Sequence, residues 1–141
     1  MEQLKLSDVS KEFVVEAEPS VAINGSKFKR VKLNGGNVGV LFSTRIGADD
    51  KGQDVFSDYS GDVKIILSSP LELGKVKVLG KSYDLVEKEL KKEDGTSYKI
   101  KALVNSDGIE VGRYSKAYRK IGKKLEFFRN KWQVRFDVFV D

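Results

Sequence analysis

The densest concentration of chemically useful side chains lies between residues 113 and 135. Arg113, Lys116, Arg119, Lys120, Lys123, Lys124, Arg129, Lys131 and Arg135 share this stretch with a single acid, Glu126. Tyr114, Tyr118, Phe127, Phe128 and Trp132 are interleaved among them. Cations neutralise phosphates and release counterions, while flat rings stack on unpaired bases without reading their sequence. The combination predicts phosphate-directed contact with single-stranded DNA or RNA at low sequence specificity. Phosphate contact is expected from Lys116, Arg119, Lys120, Lys123, Lys124, Arg129, Lys131 and Arg135. Phe127 and Phe128 are adjacent, so a strand must point them to opposite faces. At most one can join a two-layer core, and the other is the leading stacking candidate. Phe139 is a further candidate, since it faces away from the Trp132 stripe. Tyr118 and Trp132 fall on apolar stripes and are expected in the core. The competing reading of the whole tract is a solvated face that keeps an edge strand from aggregating. Lys27, Lys29, Arg30 and Lys32, around Phe28, form a second and weaker basic cluster.

Bond-making chemistry finds less support. The chain has no His and no Cys, which removes the commonest general base, the thiol nucleophile and the usual zinc ligands together. A non-enzymatic protein without cofactor or metal is therefore expected. Gly74 to Ser82 imitates a phosphate-binding loop, but five residues separate its glycines where four are needed. Its spacer alternates like a strand, and a strand rather than a helix follows. Asp49, Asp50, Asp54, Asp58 and Asp62 suggest a long acidic loop, whose spacing matches no calcium loop and lacks a closing bidentate Glu. A solvated loop is expected there. It could also dock on the basic tract of a neighbouring subunit in a homo-oligomer, or shield the tract of its own chain.

The elements that must hold these residues are mostly strands. Short apolar alternations broken by Gly, Asn and Asp every ten residues or so are an all-β signature. Asn34-Gly35-Gly36-Asn37 predicts a tight hairpin, with Gly-Gly supplying the positive φ values of a type I′ turn. Further strands are expected at 63–67, 75–79 and 83–92. A three-residue loop Glu93-Asp94-Gly95 would set Leu90 opposite Tyr98, Val86 opposite Ala102, Glu89 opposite Lys99 and Glu87 opposite Lys101. Asn105 to Gly108 forms the next turn. Trp132, Val134, Phe136, Val138 and Val140 mark a final strand. Tyr114, Ala117, Tyr118, Ile121 and Leu125 recur at helical spacing, which predicts a short amphipathic helix over 113–121, stopped by Gly122. The expected fold is a small, mainly antiparallel barrel or sandwich, with an OB-like barrel favoured.

At 141 residues and 40% hydrophobic, the chain suits one domain over 1–141. The net charge of +5 is unevenly spread: residues 1–70 hold 9 Lys/Arg against 10 Asp/Glu, a balance of −1, and residues 71–141 hold 17 against 11, a balance of +6. No targeting signal or membrane-spanning run is evident, so an intracellular protein or a virion component without a membrane partner is expected. The alternative function is a phage or viral structural or assembly subunit, or a small inhibitor-like interaction module with a β-sandwich fold.

Overall fold

The computed structural model describes residues 2–140; Met1 and Asp141, the ends of the expected domain, lie outside them. The chain is nearly all antiparallel β. It divides into two compact units, one holding Lys64–Phe136 and the other Gln3–Val63 with the described residues from Asp137 onward.

The Lys64–Phe136 unit is a meander of strands β9 (Gly74–Val78), β10 (Lys81–Lys91), β11 (Ser97–Val104), β12 (Glu110–Ile121) and β13 (Lys124–Val140), each paired with the next. Its core lies along one alternation: Tyr83 and Leu85 on β10, Leu103 on β11, Tyr114 on β12, and Val134 and Phe136 on β13. Burying side chains of this size contributes about 1.5–3 kcal/mol each. The β10–β11 register matches the expectation at all four pairs, from Val86↔Ala102 to Leu90↔Tyr98. Gly95 takes φ 87° in the loop. The Thr96 N–H donates to the Asp94 carboxylate at 2.9 Å and holds its pKa below the ordinary carboxylate range. The ion pair that forms is diagonal, between Lys99 and Glu87 at 3.4 Å, rather than between directly opposed residues.

In the second unit, β4 (Lys27–Leu33), β5 (Gly36–Ser43) and the first part of β8 (Tyr59–Leu67) pair in that order. The short strands β2 (Val14–Val15) and β3 (Ser20–Val21) both pair with β4. β1 (Leu4–Lys5) runs parallel to the end of β13, Leu4 opposite Val138. Leu33 pairs with Gly36, so the central turn residues are Asn34 and Gly35, at φ 51° and 84°, rather than the two glycines. Asn tolerates this left-handed conformation, and Gly36 is freed to begin β5. Of the expected acidic loop, Asp49, Asp50 and Asp54 belong to a hairpin of β6 (Arg45–Ala48) and β7 (Asp54–Phe56), tied by an Arg45–Asp54 ion pair at 2.7 Å. Asp58 follows the hairpin, and Asp62 lies on β8 opposite Val40. Asp49 caps the hairpin turn by accepting from the N–H groups of Lys51 and Gln53.

The helix expected over 113–121 is absent, and that segment is part of β12. A break in the β12–β13 ladder created the false helical signal. After Lys116↔Trp132 the pairing resumes only at Tyr118↔Phe127, so that residues 128–131 face Ala117 alone, with Asn130 at φ 57°. Such a bulge shifts the alternation. Tyr114 and Ala117 are both buried while Ser115 and Lys116 are exposed, a spacing of three that mimics a helix face. Gly122 is a turn residue, not a helix stop. At φ 62° it takes the first central position of a two-residue connection between Ile121 and Lys124, as a type II′ turn requires. Among the described residues the helix that forms is α1 (Leu6–Val9), which buries Leu6 and Val9.

Candidate nucleic-acid interface

Beyond the bulge, β12 and β13 form an exposed two-stranded arm over residues 118–127. Tyr118 lies opposite Phe127, Arg119 opposite Glu126, Lys120 opposite Leu125 and Ile121 opposite Lys124. Alternation therefore gives one face Tyr118, Lys120, Leu125 and Phe127, and the other Arg119, Ile121, Lys124 and Glu126. The ring centroids of Tyr118 and Phe127 are 6.0 Å apart. On the other face the Arg119 guanidinium stands 5.5 Å from the Phe128 ring and 3.2 Å from the Glu126 carboxylate. The one acid of the tract thus neutralises Arg119. Phe127 and Phe128 point to opposite faces as expected, and neither joins the core, at 57% and 39% exposure. Large rings left in water on a solvated arm are available to stack.

Lys116, Arg119, Lys120, Lys123, Lys124, Phe127, Phe128, Arg129 and Lys131 are all brought onto the arm or its base, each of the lysines among them exposed. Lys131 donates to the Ser68 hydroxyl at 3.0 Å, which anchors the base. Arg135 lies apart from the arm, half-buried on β13 and directly opposite Arg113 in the ladder. Phe139 is half-buried in the other unit. That unit also carries the second basic cluster on β4, where local rings occupy the cations. Lys27 lies 4.4 Å from the Phe56 ring centroid and Lys29 4.8 Å from that of Tyr59.

A cleft of about 650 Å³ opens in the Lys64–Phe136 unit where β11 and β12 part. The two strands pair from Val104/Glu110 to Lys101/Tyr114, and among the described residues no further. Lys99, Lys101, Arg113, Lys116 and Arg135 line the opening, with Glu87 as the acid and Tyr114, Tyr118 and Trp132 as the rings. Tyr118 and Trp132 were expected in the core; both are half-buried on this wall instead. Tyr114 is the structural ring of the three. It is buried, and its hydroxyl accepts from the Leu71 N–H at 2.9 Å, pinning the segment before β9 against β12.

The charge of the cleft is only partly compensated. Glu87 pairs with Lys99 and Glu110 with Arg113, at 3.4 and 3.3 Å. Arg135 has a buried Nε with no hydrogen-bond partner. An unmet buried donor costs about 1–3 kcal/mol. Two arginines directly opposed across a ladder add repulsion. Lys99 and Lys101 were missed as site residues, because their spacing opposite Glu87 and Glu89 reads as ordinary cross-strand pairing. Their signal would have been the end of the β11–β12 ladder, which no local pattern announces. Among the described residues no cluster of acidic side chains could hold a metal ion, and no helix is long and apolar enough to cross a membrane. No family model, curated protein or solved structure matches the chain.

Proposed function

We propose that this protein is a non-enzymatic binder of single-stranded DNA or RNA with low sequence specificity. The observation that carries the reading is the arm: cations along both strands, one acid already paired, and an exposed phenylalanine toward each face. Arg119 is held by Glu126 and Lys131 by Ser68, and the remaining cations project as phosphate contacts rather than base readers, so phosphates and base faces supply the affinity. An OB-like arrangement, which is partly open and binds strands on its sheet and loops, is the fold type attached to this proposal. Its support is the largely antiparallel sheet alone, since β9–β13 run as a meander rather than in the Greek-key order of an OB barrel. An intracellular or virion setting belongs to the same proposal.

The test is charge reversal on the exposed arm. Lys120→Glu, Lys123→Glu and Lys124→Glu together should abolish binding of a labelled oligothymidylate at low salt, while the melting temperature stays within a few degrees. Unchanged binding by the triple variant would overturn the reading.

A second reading rests on a different property of the arm. Ile121 and Leu125 are 54% and 52% exposed, and phosphate binding has no use for aliphatic side chains. Exposed apolar groups of this kind suit a protein partner, as in a phage or viral assembly subunit or a small interaction module.

A further inference from the structure

The cleft between β11 and β12 has a feature that the arm lacks: rings and cations lining one open gap in the sheet. Trp132 and Tyr118 line it together with Lys101, Lys116, Arg113 and Arg135. A volume of about 650 Å³ lies in the range of small-molecule sites. We infer that this cleft is a nucleotide-binding site, taking one base against Trp132 and Tyr118 and its phosphate among the four cations. The inference rests on the strand-binding reading for its place in a longer ligand, and it adds the position where a single nucleotide is held.

Two features point to a nucleotide rather than to an apolar ligand. The first is Arg135, whose guanidinium-bearing side chain lines the cleft with no acid paired to it among the described residues. A guanidinium fork is the donor best matched to phosphate oxygens, and Arg113, directly opposite, is already ion-paired with Glu110, which leaves Arg135 as the arginine open to an anion. An anion in the cleft would offset the charge that the Arg135 guanidinium brings to its lining. The second is the continuity of rings. Tyr118 lines the cleft on one side and packs against Phe127 of the arm on the other, so stacking surfaces run from Trp132 through Tyr118 to Phe127. A single strand following the arm would enter the cleft without leaving an aromatic surface.

Trp132 is the only tryptophan, so its emission reports on one position, the cleft wall. The experiment titrates wild-type protein, Arg135→Gln and Lys101→Gln with labelled oligothymidylate and with thymidine 5′-monophosphate. Label anisotropy and Trp132 emission are read for the oligonucleotide, and Trp132 emission for the mononucleotide. Circular dichroism confirms that the variants are folded, and exposed Lys101, which lines the cleft and lies off the arm, tests the cleft independently if Arg135→Gln is unstable. The expected result is Trp132 quenching by both ligands, with oligonucleotide quenching tracking anisotropy. Loss of a charge-assisted hydrogen bond should weaken each variant roughly tenfold or more. Oligonucleotide binding with unchanged Trp132 emission and unchanged variant affinity would overturn the cleft and leave the strand-binding reading intact. Quenching by the mononucleotide without any anisotropy change would keep the cleft as a free-nucleotide site and overturn strand binding. No response to either ligand would overturn both.

Discussion

At the scale of single residues, the most informative side chains are those whose surroundings depart from their sequence pattern. Trp132 shares an alternation with Val134, Phe136 and Val138, which are fully buried, yet it is half-buried where β11 turns away. Its removal should therefore cost less than the roughly 3–5 kcal/mol of a core aromatic. Phe136→Ala, at a fully buried position, should incur that full loss in urea denaturation. The contrast between these two variants checks the core boundary directly. Tyr83 offers a pH test. Burial raises its hydroxyl pKa above the ordinary tyrosine value near 10.0, and its ring packs 5.9 Å from that of Phe136. Above the unfolded value the unfolded chain loses this proton while the folded chain retains it. Stability is therefore unaffected below that range and falls as pH climbs through it toward the folded pKa. Tyr83→Phe should flatten this alkaline part of the melting-temperature profile. An identical alkaline slope in the variant would show that Tyr83 does not contribute.

At the scale of elements, what the sequence disclosed depended on whether a turn residue and a cross-strand pattern agreed. Gly95 and the Glu/Lys register jointly specified the β10–β11 hairpin, and the structure has that register residue for residue. The arm failed the same reading, because its bulge lies in the middle of a strand and shifts the phase between Tyr114 and Ala117. Three-residue spacing then looked helical. Gly122-Lys123 held the correction, since Gly followed by any residue between two runs of equal length is a type II′ signal. The basic tract was legible as composition, whereas its division into an arm and a cleft was not, because that division depends on where two strands stop pairing. A β-branched residue at Gly122 opposes the observed φ of 62° and stores about 1–3 kcal/mol of backbone strain in the turn. Gly122→Val should accordingly speed amide hydrogen exchange over residues 118–127 while leaving β10 and β11 protected. Equal acceleration across all four strands would mean that the arm is not an independent element.

At the scale of the whole molecule, the charge of +5 says less than its distribution, since the excess concentrates on one arm and one cleft wall. Association state separates the two functional readings. Size-exclusion chromatography with light scattering should show a small species that grows by the mass of an added oligonucleotide. A large closed oligomer without ligand would favour the assembly reading and assign exposed Ile121 and Leu125 to its contacts. The most direct measurement of the central claim is the salt dependence of oligonucleotide affinity. With about six of the arm and cleft cations on phosphates, log affinity should fall against log salt with a slope of about −4, at about −0.7 per contact for single strands. A slope near zero, or no binding to any single strand at low salt, would contradict it.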